Sequence, residues 1–260
     1  MSILKRSSIR NRLLNSLSED DFHALEPHLR PIALDLGRPV FRANAPLDNL
    51  IFPESGFASL TTDIDGSRVE IGLIGREGVT GISLTYGVDR VPFDCFVQSP
   101  GHGHEIDRRD FEAVLDNRRT LERFLLRYGQ AFNVQTASTA FVNAEHTIEI
   151  RLARWLLMCD DRIDGSELRV THEFLSMMLG VRRPGVTTTL HLLEGKNLIR
   201  SARGLITIRD RKGLEKLAEN AYGWPEAEYE RLMADEGSAS DPRPDIDPPR
   251  TVSDGALTED

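Results

Sequence analysis

The 260-residue chain reads as an α+β protein in three parts: an antiparallel roll or barrel of short strands, a long helix, and a winged helix-turn-helix. Three observations predict this. From Ile32 to about Ile106, short apolar runs are broken by Gly, Pro, Asn and Asp, the pattern of many short strands joined by turns. From Leu121 to Val142, apolar residues recur at spacings of four and three, a helical period. From Val170 to Ile199, two short amphipathic helices flank a glycine, and a hairpin pattern follows.

Taken in order, the first dozen residues are polar and basic and are expected to fray. Ser18 then caps a helix, with Asp21 three residues on and Leu17 placed to staple to Phe22. In the strand-rich region Val69, Ile71 and Leu73 alternate with Glu70 and Gly72, which predicts a half-buried strand. Phe93, Cys95 and Val97 repeat the alternation. Near Arg108 helical spacing returns, and Leu121, Leu125, Tyr128, Phe132, Gln135, Thr139 and Val142 form a heptad seam. That seam is the spacing of a coiled coil and so fits a dimer-forming helix, in which Gln135 and Thr139 want partners across the dimer or from an effector; the alternative is a core helix of one subunit. A boundary is expected around Asn143–His146, before an amphipathic helix that turns Ile148, Leu152, Trp155 and Leu156 inward.

The helix-turn-helix is the most specific signal. Thr171 is placed to cap the first helix, whose Phe174, Leu175, Met178 and Leu179 share a face. Gly180 follows where a helix end needs a left-handed backbone. In the second helix Val186, Leu190 and Leu193 face inward, Pro184 sits in the first turn, and Arg182, Arg183, Thr187, Thr188 and His191 face out. Leu198–Arg200 and Leu205–Ile208 flank Ser201-Ala202-Arg203-Gly204, a hairpin read as a wing with a four-residue loop. Arg200, Arg203 and Arg209 are its candidate phosphate contacts, and Arg183 is the candidate for a bidentate guanine contact. The chain's net charge is −9, yet Arg169 to Lys212 holds nine Lys/Arg against three Asp/Glu. A basic island on an acidic chain fits a duplex partner.

The run LGVRRPGVTTTLHLLEGKNLIRSARGLITIRDRKGL resembles the C-terminal DNA-binding domain of the CRP/FNR superfamily of bacterial transcription regulators. The likeness continues through RLARWLLMCDDRI, and IFPESGFASL with VEIGLIGREGVTG resembles the β-roll of that family's sensor domain. The resemblance covers nearly the whole chain up to the last 25 or so residues. It implies an N-terminal double-stranded, jelly-roll-like β-roll over 1–117 and a dimerisation helix over 118–144. A winged helix-turn-helix over 145–234 follows, and composition predicts a disordered acidic tail over 235–260. It also implies a homodimer on palindromic duplex DNA, with RNA polymerase as a partner. Better-known members carry an acidic residue and an arginine where Pro184 and Thr188 stand, so their site sequence does not transfer.

The family's cyclic-nucleotide pocket pairs Gly-Glu with a later Arg-Ser/Thr. Here Gly81 is followed by Ile82, and Arg90 by Val91 and Pro92, so the ribose carboxylate and the phosphate hydroxyl are missing. The effector is therefore expected to be something other than a cyclic nucleotide, or absent; a cyclic-nucleotide-responsive regulator is one alternative. A signalling module with a vestigial helix-turn-helix is the other. His102 and His104 share a strand face without a third ligand, and two cysteines, Cys95 and Cys159, are too few for a cluster or a disulfide framework. No cofactor or metal is expected. No nucleophile triad, phosphate loop or HExxH pair suggests an enzyme. No apolar run of signal-peptide or membrane-spanning length is visible, so a cytoplasmic protein without a membrane partner is expected.

Overall fold

A computed structural model describes Leu4 and residues 6–234. The acidic tail expected over 235–260 lies outside the described residues. Two short helices open the chain, α1 (Arg12–Asn15) and α2 (Glu19–Leu25). Ser18 caps α2 as its spacing predicts, its Oγ accepting from the Asp21 amide at 3.1 Å. Residues 6–11, expected to fray, are held in place instead. Asn11 is fully buried; its Nδ2 donates to the carbonyls of Pro53 and Gly78, each at 2.9 Å. A polar composition hid these contacts because their partners lie 42 and 67 residues away.

The roll comprises β1 (Arg30–Leu34), β2 (Pro39–Phe41), β3 (Asn49–Ile64), β4 (Ser67–Ile74) and β5 (Asp94–Asp107). They form one antiparallel sheet in the order β1-β5-β3-β4, with β2 also paired to β5. β3 and β5 are long enough to fold over on themselves, and their register slips between Pro53 and Ala58, where the roll bends. Gly56 makes that bend possible: its φ is +69°, and a Cβ there would stand 2.4 Å from the Ser99 carbonyl oxygen.

Helices α3 (Arg108–Leu115) and α4 (Arg119–Glu145) close the roll. Leu121, Phe124, Leu125 and Tyr128 join Leu14, Phe22, Leu50, Phe52, Ile106 and Phe111 in one core. Each such side chain, fully buried, contributes roughly 1.5–3 kcal/mol. This corrects the dimer seam. Leu121, Leu125, Tyr128, Gln135 and Val142 are buried, and Phe132 and Thr139 half-buried, within a single chain. The Gln135 Oε1 accepts from the Leu73 amide at 2.8 Å, and Thr139 Oγ1 donates to the Gln135 carbonyl at 2.9 Å. The heptad stripe is used to cover the chain's own roll. The opposite stripe of α4, Leu126, Gln130, Asn133, Ala137, Ala140 and Ala144, is exposed at the same four-three spacing, with Phe141 beside it 61% exposed.

After the break at His146 come α5 (Ile148–Asp160), β6 (Glu167–Arg169), α6 (His172–Met178), α7 (Arg183–Gly195), β7 (Ile199–Ala202), β8 (Leu205–Ile208) and α8 (Arg211–Ala218). Their core gathers Leu152, Leu156, Leu175, Val186, Leu190, Leu193, Ile206 and Leu214, and it reaches into the roll through Phe57 and Leu73. α9 (Trp224–Met233) then turns back to pack on α4. Tyr229 Oη donates to the Glu77 carbonyl at 2.7 Å, and the Arg12 guanidinium pairs with Glu230 and lies 5.0 Å over the Tyr229 ring. So the helix read from sequence as the end of the 145–234 unit rests on the roll side of the molecule. Among the described residues no helix is long and apolar enough to cross a membrane.

Candidate nucleic-acid interface

The two helices of the motif are set by local chemistry. Thr171 Oγ1 accepts from the Phe174 amide at 3.1 Å, capping α6. At the other end Gly180 has φ +60°, the Val181 amide donates to the Ser176 carbonyl and the Gly180 amide to the Met177 carbonyl. This is the paired closure that a left-handed residue permits after a helix. The chain re-enters helix at Arg183, with Pro184 in the first turn, where no amide donor is needed. Val186, Leu190 and Leu193 are then buried against α5 and α6.

The outer face of α7 presents Arg182, Arg183, Thr188 and His191, all exposed. Thr188 Oγ1 donates to the Pro184 carbonyl at 3.1 Å, which leaves its oxygen free to accept. His191 Nδ1 lies 3.8 Å from Glu194, whose other oxygen accepts from the Ser201 amide at 2.7 Å, so α7 and the wing are tied side by side. Thr187 departs from the sequence reading. It is half-buried, and its Oγ1 lies 3.1 Å from His172 Nδ1 on α6. Leu192, which the sequence reading passed over, is 48% exposed beside His191, a placement suited to a thymine methyl.

The wing is tighter than its sequence suggests. Ser201 and Ala202 pair with Ile206 and Leu205, leaving a two-residue turn of Arg203 (φ +48°) and Gly204 (φ +79°). Two positive φ values match the right-handed strand twist, whereas a four-residue loop would waste a ladder pair. Arg203 therefore stands at the tip. A third strand, β6, pairs with β8, and it was not foreseen because Glu167-Leu168-Arg169 is too short for a periodic signal. Arg200, Arg203 and Arg209 are exposed around the hairpin. Not every local cation is available: Lys196 pairs with Glu149, and Arg211 is bound to Asp160, Asp161 and Glu215.

The second location singled out in the sequence is also built. Gly81 (φ +73°) opens a 3-10 turn, Ile82–Tyr86, and Ile82 packs on the roll's core. Arg90 is exposed and donates to the Asn44 carbonyl at 3.2 Å. Between this turn, the sheet and α4 lies a cavity of about 640 Å³. Phe41, Leu60, Ile82, Val91, Phe93 and Phe132 line it, with Ser83, Tyr86, Gln130, Asn133 and Thr136 as its polar groups. No lining residue is charged.

The histidines of β5 diverge. His102 Nδ1 is 2.8 Å from Ser55 Oγ, while His104 lies largely buried, 3.3 Å from Glu54. Cys95 and Cys159 are free and buried, and burial pushes both thiols up, away from the reactive thiolate.

Residues 150–217 match the family of Crp-like helix-turn-helix domains. No curated protein matches the chain in sequence. A transcriptional regulator of the crp/fnr family from Eubacterium rectale superposes with a TM-score of 0.63 at 18% identity, covering 80% of this chain and 97% of that one. FixK2 from Bradyrhizobium japonicum gives 0.63 at 15% identity, covering 75% and 99%. The c-di-GMP responsive global regulator CLP from Xanthomonas campestris gives 0.59 at 16%, covering 74% and 99%. Residues 150–217 thus match a Crp-like helix-turn-helix domain, and about three quarters of the chain shares the fold of these CRP/FNR-family structures.

Proposed function

We propose that the chain is a sequence-specific DNA-binding regulator of transcription that acts as a homodimer on palindromic sites. The observation that carries this is the exposed row Arg182, Arg183, Thr188 and His191 on α7, flanked by a wing with Arg203 at its tip. A row of this kind has the length and chemistry of a major-groove reader, and the wing supplies phosphate contacts that fix its register. The exposed stripe Leu126 to Ala144 of α4 supplies the dimer face, since small alanines let two helices approach closely. Two-fold symmetry then sets two α7 helices about 34 Å apart, one turn of duplex. RNA polymerase is the partner through which such a protein acts, the cytoplasm its place, and no catalysis is involved.

The effector is a ligand other than a cyclic nucleotide, or there is none. A cyclic phosphate held without a charged partner would lose charge-assisted hydrogen bonds, and the cavity beside α4 offers only neutral groups. Leu126, Gln130 and Asn133 belong both to the cavity wall and to the proposed dimer stripe, so a ligand there would bear on the dimer directly. Mapping the fragments bound in cells, followed by mobility shifts on them, tests the reading. A palindromic consensus is the expected result, and failure to bind any enriched fragment would overturn it.

A further inference from the structure

On β4, Glu70 lies between Val69 and Ile71, and simple alternation would turn it to water. It is instead 6% exposed. Its Oε2 accepts from Ser59 Oγ at 2.5 Å and its Oε1 from Trp155 Nε1 at 2.7 Å. Ser59 belongs to β3 and Trp155 to α5, the helix that opens the winged-helix half. The carboxyl is therefore clamped between the roll and the DNA-binding half of the chain. Next to Trp155 on α5, Arg154 is 5% exposed, and its Nε and Nη2 have no hydrogen-bond partner.

We propose that Glu70 makes the seating of the winged-helix half on the roll proton-dependent: protonated, it holds α5 to the sheet, and loss of the proton loosens that seat. When neutral, Oε2 donates its proton to Ser59 while Oε1 still accepts from Trp155, so both bonds survive without a buried charge. When ionised, the carboxylate keeps both bonds but carries a charge sealed from water, which is costly unless a cation pairs with it directly. Arg154, whose Nε and Nη2 make no hydrogen bond and which Glu226 of α9 also faces, is the nearby cation with donors to spare, and α5 has to shift for it to be drawn to the carboxylate or for water to enter. The other neighbours are already engaged. Arg162 is bound to Glu77 and the Met158 carbonyl, and Cys159 is a buried neutral thiol. On α4, Gln135 holds the Leu73 amide and Tyr128 Oη the Val79 carbonyl. On α6, which packs on β4, His172 is turned to Thr187 and Glu173 is exposed.

Burial pushes the Glu70 carboxyl up to about 7, although Ser59, Trp155, Arg162 and Arg154 all pull it down. An acid raised in the seated form favours that form when protonated. Its contribution is full below the ordinary value of 4.5 and is lost as the pH rises through about 7. The seat is thus tighter on the acid side of neutrality.

The chain has two tryptophans, so Trp224→Phe leaves Trp155 as the sole indole reporter. In the full chain carrying that change, Trp155 emission should titrate with a midpoint near 7, and Glu70→Gln, neutral at every pH, should flatten it. Cleavage at the α4–α5 joint by a glutamate-specific protease, taken relative to Glu70→Gln, should rise about tenfold from the acid to the alkaline side. Ser59→Ala removes a donor to the carboxylate and should move the midpoint upward, a readout that remains if Glu70→Gln fails to fold. A flat wild-type profile, a Glu70→Gln profile that still titrates, or a Ser59→Ala midpoint that stays put would each overturn the proposal.

Discussion

His172 Nδ1 stands 3.1 Å from Thr187 Oγ1, joining the first helix of the motif to the second through side chains alone. Thr187 also donates to the Arg183 carbonyl at 3.2 Å. Its oxygen is therefore occupied inside the protein, whereas that of Thr188, one residue on, faces outward. Thr187→Val should lower stability by about 1 kcal/mol and leave base preference unchanged. Thr188→Val should do the reverse, weakening specific binding by about 1 kcal/mol without altering thermal denaturation. Melting curves and footprint titrations on the two variants separate these outcomes; loss of base preference in Thr187→Val would contradict the assignment.

The two classes of arginine should behave differently. Arg183→Ala is expected to cost roughly 1–3 kcal/mol and relax the preference at one base position. Arg203→Ala, at the wing tip, should weaken binding to all sequences alike and reduce the salt slope by about 1. Affinity measured across a salt series for specific and scrambled duplexes distinguishes them.

Assembly offers a sharper contrast. Leu126→Glu combined with Ala137→Glu should yield a folded monomer by sedimentation and abolish tight DNA binding, because both residues lie on the exposed stripe of α4. Leu125→Glu, by contrast, buries a carboxylate in the chain's own core, where Leu125 is 1% exposed. That variant should fail to fold, at a cost of several kcal/mol. If Leu125→Glu gave a folded monomer instead, the face assignment would be reversed.

Neither cyclic AMP nor cyclic GMP should bind at physiological concentration or change DNA affinity, since a ligand without differential affinity for two states cannot shift them. Calorimetry on the purified protein is the check. Micromolar binding that disappears in Arg90→Ala would restore a cyclic-nucleotide sensor, despite the exposed position of that arginine.

The parts legible in the sequence were those whose determinants lie within a few residues. Thr171, Gly180 and Pro184 each act on their own helix end, and each does so in the structure. The misread parts depend on distant partners. α4 carries two stripes at heptad spacing, and spacing alone does not say which meets the roll and which is left open. Composition separates them only in hindsight: the stripe with Leu121, Leu125 and Tyr128 covers the sheet, and the one with alanines is left outside. Alternation on β4 fixes which residues share a face with Glu70, not whether that face is covered. Which face is covered depends on Trp155, 85 residues on. The contact of Thr187 with His172 was likewise hidden, since its partner belongs to the other helix.

The return of α9 onto α4 changes how the DNA-binding half can move. Besides the seat of α5 on the roll through Phe57, Leu73 and Glu70, that half is attached at its beginning, where α4 passes into α5, and again at its end, through Tyr229 on Glu77 and Glu230 on Arg12. A body resting on a seat alone can slide or swing on it, but one also pinned at both ends can only pivot about the line between the pins. Both pins are carried by the same α4 and roll surface, so a small tilt of α4 would be delivered to α7 as rotation about a fixed axle rather than as slack.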